Sequence, residues 1–379
     1  MINFRQYPNV TKIIIPDGVK LNNTSFYASF HSMKNIIECK IPYNNITNIV
    51  SAYHNCTNLI GSPVCGDKVT NMYDTYRYCT NLTGSPVCGP NVTEMTSTYR
   101  NCTNLTGSPV CGPNVTSIHR AYQGCTNLTG SPICGPNVTS MSLAYESCYN
   151  LIGSPVCGDK VTDMAGAYQN CRNLTGSPVC GPNVTDMSSA YSNCISFTGS
   201  PACGNNVTNM LRTYMGCSNL TGSPVCGPNV NMMAQTYQGC CNLIGSPVCG
   251  DKVTNMQDTY YNCRNLTGSP VCGPNVTNMY RTYYNCYNLT GNAYFYSGFV
   301  SNITGCFEAR NTSNRLSIYV TENSTSLTTL LTNNSRSMFY ESVTWTDDTV
   351  ANGCYYNTYY NTYIYPVANV AVAKAANGD

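Results

Sequence analysis

The chain has 379 residues, and only 9% of them are charged. Its 19 basic and 17 acidic residues give a formal net charge of +2, and the basic residues are scattered along the sequence. This balance gives no electrostatic footprint for nucleic acid or for an anionic membrane. No stretch approaches the length of a membrane span, so the sequence predicts no membrane insertion. Asn, Thr, Ser and Tyr must keep the surface hydrated, a composition commoner in extracellular proteins than in cytosolic enzymes.

A fixed period of 23 residues dominates the sequence. A tyrosine recurs at this interval from Tyr53 to Tyr283, and a cysteine follows three places behind it from Cys56 to Cys286. Such a period is typical of leucine-rich solenoids, in which each repeat buries its apolar face against its neighbours. We call each repeat a coil. The sequence predicts a solenoid over residues 46–290, N-terminal capping coils over 1–45 and a small β-rich module over 291–379.

Each coil is expected to contain a short strand and a short helix. Met95, Tyr99 and Cys102 fall at i, i+4 and i+7, as on one face of a helix. The Leu-Thr-Gly-Ser-Pro-Val-Cys half reads as extended, with Pro86 facing outward or flanking a short pairing, because proline cannot donate to a ladder. The predicted structural ladder comprises Tyr76, Tyr99, Tyr122, Tyr145, Cys79, Cys102, Cys125, Cys148, Leu82, Leu105, Met95 and Met141.

The two ends of the chain depart from this pattern. Phe30 stands one period before Tyr53, which indicates an atypical first coil. The repeat is predicted to stop after Leu289. β-prone runs at 316–320, 343–346 and 359–366 then indicate a terminal module that covers the last coil, with a short Ala-rich tail after it.

Cysteine forms two columns at the coil period. Cys102 and its equivalents are expected to be small buried hydrophobes, and Cys88 and its equivalents to lie nearer the surface. Free thiols are favoured, disulfides remain an alternative, and no metal-ligand spacing occurs. No cofactor is predicted. The many Asn-x-Thr motifs are expected to form stacked polar columns, because crowded acceptors cannot all carry glycans.

Catalytic signals are absent from the sequence. The three histidines, His31, His54 and His119, lie in different coils, and none accompanies a motif nucleophile. No phosphate-binding glycine loop follows a strand. The chain is therefore predicted not to be an enzyme.

Coils differ from one another mainly at the residues after Met and after Tyr. A contact surface is predicted there, and the monotony of the extended half suits packing, self-association or a ligand that is itself periodic, such as a glycan. Tyrosines on the varied side are suited to stack on sugars or to anchor a protein. The predicted contact residues are Tyr73, Arg77, Tyr78, His119, Arg120, Arg212, Tyr261, Tyr280, Arg281 and Tyr284.

The run Val-Thr-x-Met-x-x-x-Tyr-x-x-Cys-x-x-Leu-Thr resembles the repeat of BspA-like leucine-rich repeat proteins. Ile13 to Val19 resembles the strand segment of that family, whereas Gly-Ser-Pro-Val-Cys departs from it. The resemblance covers roughly residues 10–290. It implies a surface-exposed adhesive or interaction protein, and similar arrays also look like tail or fibre proteins of phages infecting gut bacteria.

A virion structural protein that binds a host-surface glycan or protein is the leading hypothesis. The N-terminus lacks a secretory signal, as expected for a virion protein released on lysis. One alternative is an adhesin on a bacterial or protist cell, and another is a self-assembling extracellular filament subunit. The expected location is a virion or the cell surface, with other surface proteins or further copies of the chain as additional partners.

Overall fold

The computed structural model describes residues 4–16, 19, 24–297 and 300–307, and four further strands given below. The chain divides into two compact units, Met1–Phe197 and Thr198–Asp379. Among the described residues, no helix is long and apolar enough to cross a membrane. The expected runs at 343–346 and in the Ala-rich tail lie outside the described residues.

Neighbouring coils are joined by single-residue parallel bridges in place of full strands. In the first unit the bridges run from Ser25 to Asp186, and in the second from Asn209 to Asn302. Each bridge lies just before the buried Met, Ile or Phe that opens the turns of the coil, as at Glu94, which pairs with Asn71 and with Ser117. These bridges therefore lie outside the Leu-to-Cys half, whereas the sequence predicted pairing within that half.

The segment from Met95 to Cys102, which we call the turn segment, is not the predicted helix. Its hydrogen bonds alternate: Ser97 N–H bonds to His119 O of the next coil at 2.9 Å, and Thr98 N–H bonds to Met95 O at 3.1 Å. Ser97 and Asn101 have left-handed φ angles of 55° and 59°. A right-handed helix cannot contain such residues in series, so the helical expectation was wrong and the coils contain successive turns.

The alternation uses the backbone donors of the turn segment in full. The N–H groups of Tyr99 and Asn101 also bond to carbonyls of the next coil, and those of Arg100 and Cys102 close turns within the coil. Buried backbone groups must be paired. Turns begin at Met95, Ser97 and Tyr99, and left-handed residues recur four positions apart at Ser97 and Asn101, while Met95, Tyr99 and Cys102 are fully buried.

The proline half of each coil obtains its hydrogen bonds from a side chain. Val87 N–H donates to the Tyr99 hydroxyl at 3.0 Å, and that hydroxyl donates to Val87 O at 2.6 Å. The hydroxyl thus takes the place of a neighbouring strand. Pro86 is buried, contrary to the outward orientation expected for it.

Regular strands form where the neighbouring coil that pairs with the strand has no proline at this position. In the first unit β1, Lys12–Ile14, pairs in parallel with β2, Glu38–Lys40. In the second unit β3, Val271–Cys272, pairs with β4, Gly291–Phe295. Ala293 stands one period after Pro270, so the β4 backbone can donate.

The second unit continues β3 and β4 into a six-stranded sheet. The further strands are β5, Leu316–Thr321, β6, Met338–Glu341, β7, Cys354–Asn357, and β8, Thr362–Val367. The strand order is β3-β4-β5-β8-β7-β6, parallel from β3 through β8 and antiparallel at β7 and β6. β5 covers the β-prone run 316–320, and β8 overlaps 359–366.

One more coil follows Leu289, where the sequence pattern was expected to stop. Met279 N–H bonds to Asn302 O at 2.7 Å, and Tyr283 N–H bonds to Cys306 O at 2.9 Å. The Phe307 ring stacks on Tyr283 with centroids 5.5 Å apart. This coil carries one extra residue and phenylalanine in place of tyrosine, which hides it from a search at 23 residues.

The core of each unit consists of columns of identical side chains. In the first unit Tyr76, Tyr99, Tyr122 and Tyr145 stack with centroids 5.4 to 5.6 Å from their neighbours. In the second unit the stack runs from Tyr214 to Tyr283. The other predicted ladder residues, all buried, are Cys79, Cys102, Cys125, Cys148, Leu82, Leu105, Met95 and Met141.

Cysteine thiols act as hydrogen-bond donors within the columns. Cys102 Sγ donates to Tyr76 O of the preceding coil at 2.9 Å. Cys88, in the second column, is half-buried, and its thiol lies 3.6 Å from Gly89 O. The cysteines whose side chains are described are free thiols.

Candidate binding surface

The turn segment contains the positions at which coils differ, and these range from exposed to buried, as at Ser97. We define the variable face as the positions equivalent to Thr96, Ser97, Arg100 and Asn101. Each variable-face residue is one side chain in a column whose neighbours lie in the adjacent coils. The ring column beneath it is uniform within each unit, so substitutions on this face leave the core unchanged.

In the first unit, aromatic and charged residues meet on the variable face. Arg77 Nη1 lies 3.3 Å from Asp74 Oδ2, and its guanidinium carbon lies 5.0 Å from the centroid of the Tyr78 ring. His54 stacks on His31 at 4.5 Å and meets Tyr78 edge-on at 5.8 Å. Buried Asp74 therefore orients Arg77 along Tyr78, next to a pair of imidazoles.

Tyr73 lies beside this cluster and is 42% exposed. Its backbone N–H donates a hydrogen bond to Asn71 Oδ1 at 2.8 Å. An exposed tyrosine ring on a fixed backbone can contact a ligand with little loss of side-chain entropy. Of the predicted contact residues Tyr73, Arg77 and Tyr78, the structure brings the side chains of Arg77 and Tyr78 into contact, and Tyr73 lies in the same coil.

A second group of aromatic residues lies on the variable face of the second unit. The rings of Tyr261 and Tyr284 stack with centroids 5.0 Å apart. The Arg281 guanidinium lies 4.5 Å from the Tyr280 centroid and 5.4 Å from that of Tyr261. Arg281 Nε is 3.3 Å from Oδ1 of Asp258, which is only 3% exposed. These four predicted residues form a shelf of three rings around one cation.

Other predicted contact residues lie apart from these two groups. His119 and Arg120 are half-buried on adjacent variable-face positions of the first unit. Burial, and then the charge of Arg120, lower the pKa of His119. Arg212, in the second unit, is exposed and donates from Nε to Gln235 Oε1 at 2.6 Å.

The two stacked histidines titrate below their usual range. Burial lowers the pKa of His31, and the nearby charge of Arg5 adds to this. Burial also lowers the pKa of His54, with smaller contributions from His31 and Arg77, whereas Asp74 opposes them. Both imidazoles are consequently favoured in the neutral form, which allows their rings to stack.

Sequence reasoning missed several residues on which this surface depends. Asp74 and Asp258 occupy equivalent positions and each orients an arginine. Outside the variable face, another varied column follows Cys102 and its equivalents, where Arg172 lies over Tyr149 at 5.1 Å and Arg264 over Tyr287 at 6.0 Å. Comparison of the coils position by position would have found both features.

The polar columns outside the variable face bind the coils to one another. Asn81 Nδ2 donates to Asn58 Oδ1 at 3.4 Å, and Asn91 Nδ2 donates to Asp67 O at 2.8 Å. In the coils with an Asp-Lys turn, a lysine replaces this asparagine. Lys160 Nζ then donates to Asn137 Oδ1 at 2.7 Å. These asparagines and lysines therefore have structural partners.

The cysteine columns offer no metal site within the part of the chain that the structure describes, where no group of three His, Cys, Asp or Glu residues could hold an ion. Burial raises the pKa of the Cys125 thiol to about 12 and that of Cys65 to about 11. These thiols are neutral at physiological pH, and a neutral thiol is a weak nucleophile and a weak ligand.

No protein-family model matches the chain, and no curated protein matches it. Among solved structures it is similar to a leucine-rich repeat protein from Bacteroides ovatus ATCC 8483, with 15% sequence identity and a TM-score of 0.52. That match covers 82% of this chain and 87% of the other. A leucine rich cell surface protein from Faecalibacterium prausnitzii A2-165 matches at 14% identity and a TM-score of 0.30, over 68% of this chain and 87% of that one. The Bacteroides ovatus match shows the fold, and the repeat solenoid of the leucine-rich repeat type predicted from the 23-residue period is confirmed.

Proposed function

We propose that the chain is a non-enzymatic adhesive solenoid displayed on a surface, which binds a glycan or protein through its variable face. The observation that carries this proposal is that each coil combines uniform buried positions with varied positions in the turn segment. Met95, Tyr99 and Cys102 are buried in uniform columns, while the turn between them presents residues that change from coil to coil. Aromatic and arginine side chains gather on that face in each unit.

The shelf of the second unit is the part best suited to contact. Three tyrosine rings and one guanidinium supply flat apolar faces with hydroxyl and N–H groups at their edges. Tyrosine and arginine are the residues that most often dominate binding interfaces. Because Asp258 orients Arg281, the shelf loses little side-chain entropy when a ligand binds.

A virion is the setting that we favour, as a fibre or tail-associated protein that presents the array to a bacterial host. The resemblance of the repeat to phage arrays supports this version. Immunogold labelling with an antibody to the purified chain should decorate the tail or fibre of the source particle. Label confined to the envelope of cells would overturn the virion version and favour a BspA-like adhesin.

Binding itself is tested with the double variant Tyr261→Ala/Tyr284→Ala. It should reduce binding of the chain to intact gut bacteria by about tenfold or more, in line with the loss of two anchor residues. The matched control is Tyr149→Ala/Tyr287→Ala, which removes two exposed tyrosines outside the variable face. Equal loss in both variants, or no binding by the unaltered chain, would contradict the proposal.

The filament alternative is weakened by the end of the first unit. Phe4 stacks on Phe30 with centroids 5.0 Å apart, and Phe4 N–H bonds to Ser29 O at 3.0 Å. The ring column is thus covered where another copy would have to stack. A particle size that rises continuously with protein concentration would restore the filament hypothesis.

A further inference from the structure

Three arginines occupy the variable face in three consecutive coils of the first unit. Arg77 and Arg100 are direct neighbours in one column, since Tyr78 N–H bonds to Arg100 O at 2.8 Å. Arg120 lies one coil further, next to Ser97. In the later coils of this unit the same columns carry Gln, Glu, Ser, Leu or Gly. A chain with 9% charged residues therefore concentrates cations at this place.

The carboxylates nearby form an ion pair with only one of these arginines. Asp74 pairs with Arg77 alone. Glu94 Oε1 accepts from Thr96 N–H at 2.6 Å, and Glu146 accepts from Gln123 Nε2. Among the described residues, Arg100 and Arg120 have no acidic side chain within 4.0 Å of their guanidinium groups. Arg100 and Arg120, in adjacent coils, thus have no ion-pair partner among the described residues.

The three arginines also contain buried donor atoms. Nε of Arg77, Nε of Arg100 and Nε of Arg120 are each buried with no hydrogen-bond partner. A buried unpaired donor is costly, and a negatively charged acceptor beside it relieves that cost. The three arginines are half-buried, so the exposed part of each guanidinium group is open to an anionic ligand from the solvent side.

The surroundings favour a sugar over a protein. Tyr73, in the same coil as Arg77, is a large exposed side chain, and the Tyr78 ring lies between the Arg77 guanidinium and the imidazole of His54. A protein interface has a wider apolar centre. Flat rings flanked by guanidinium groups suit the apolar face of a sugar ring together with its charged substituent. The spacing at successive coils suits a polymer that repeats its charge.

We propose that Arg77, Arg100 and Arg120, with Tyr73 and Tyr78, form a binding site for an acidic polysaccharide that carries carboxylates on successive sugars. The guanidinium groups bind the carboxylates, and the tyrosine rings pack against the sugar faces. This site gives one ligand class to the adhesive role proposed above and rests on that role.

The experiment measures binding of the full chain to immobilised polygalacturonate. Arg100→Gln/Arg120→Gln should weaken binding about tenfold or more, and should flatten the dependence of log affinity on log salt because fewer counterions are released. Arg172→Gln/Arg264→Gln is the matched control, since it removes two exposed arginines that lie outside the variable face. The thermal midpoint of both variants should match that of the unaltered chain. If the double variant does not fold, the unaltered chain decides: binding abolished by about 0.5 M salt supports the site.

Several outcomes would overturn the site. These are equal loss with Arg172→Gln/Arg264→Gln, binding to neutral dextran as tight as to polygalacturonate, or binding to polyglutamate as tight, which would indicate an acidic protein as partner. A chain that binds bacterial cells but not polygalacturonate would refute the acidic-polysaccharide site and leave the adhesive role intact. A chain that binds no cells would refute the adhesive role.

Discussion

Within a coil, the tyrosine hydroxyl accepts one hydrogen bond and donates another to the same residue, as Tyr99 does with Val87. A phenol has this capacity, whereas phenylalanine has none. The ring fills the core, and the hydroxyl pairs the backbone of a segment that proline keeps out of any ladder. The recurrence of tyrosine over phenylalanine thus has a local cause.

Removal of one hydroxyl tests this account at a single residue. Tyr99→Phe should lower the free energy of unfolding by about 1–2 kcal/mol, because both backbone groups of Val87 lose their partner. Tyr149→Phe, at a ring that is 39% exposed, is the control and should change it by less than about 0.5 kcal/mol. Urea unfolding measures both variants. Equal stability of the Tyr99→Phe variant and the unaltered chain would refute the role of the hydroxyl.

The stacked histidines predict a pH dependence. Burial, aided by Arg5 at His31 and by Arg77 at His54, lowers both pKa values, so the unfolded chain binds protons more readily than the folded one. Stability should fall as the pH drops below about 6.5. His54→Gln should remove part of that fall, whereas stability at pH 8 stays nearly constant. Thermal melts at pH 5 and pH 8 compare the two proteins, and an undiminished fall in the variant would contradict this.

The turn segment is the element that sequence periodicity misread. Spacings of i, i+4 and i+7 identify which side chains are buried, but they do not distinguish a helix from a series of turns. Ser97 and Asn101 carried the missing signal. Serine, asparagine and glycine disfavour helix interiors, and asparagine and glycine tolerate left-handed φ. Gly124 in place of Asn101 one coil later indicated the same conformation.

Two substitutions at Asn101 distinguish a series of turns from a helix in this segment. Asn101→Gly should be tolerated, because glycine adopts φ near 59° without strain. Asn101→Val should lower the free energy of unfolding by about 1–2 kcal/mol, because a β-branched residue resists that conformation. A helix predicts the reverse order, with glycine the more damaging. Chemical unfolding of both variants decides between them.

At the scale of each unit, many buried copies of the same titratable side chain make the free energy of unfolding depend on alkaline pH. Burial raises the pKa of Cys125 to about 12 and holds that of Tyr99 well above its usual range. Folded thiols stay neutral where unfolded ones, with pKa values of about 8.5, lose their protons. The resulting stability is complete below that pH and declines above it.

This predicts that the free energy of unfolding is steady from pH 7 to about 8.5 and then falls steeply towards pH 10. Each buried thiol contributes about 1.4 kcal/mol per pH unit above its unfolded pKa. Urea unfolding over this range measures the slope. Cys125→Ser should reduce it, because serine does not titrate there. A curve that stays flat to pH 10 would show that the columns are not buried as described.

Repetition made much of this architecture predictable. The period alone identified the buried columns from Tyr76 to Tyr145 and the outward positions at which Tyr73, Arg77 and Arg281 lie. It did not reveal the partners that cross between coils, such as Asp258 with Arg281, because contacts 23 residues apart depend on the register of the stack. The last coil escaped detection because one inserted residue shifts Phe307 out of phase.

Residue-resolved amide hydrogen exchange tests the central claim, that the coils bond to one another through alternate residues of the turn segment. The account predicts slow exchange at Met95, Ser97, Tyr99 and Asn101, whose N–H groups bond to the next coil, as well as at the residues between them whose turns close within the coil. Fast exchange at those four residues, with slow exchange confined to Thr98, Arg100 and Cys102, would show independent turns and contradict the stack.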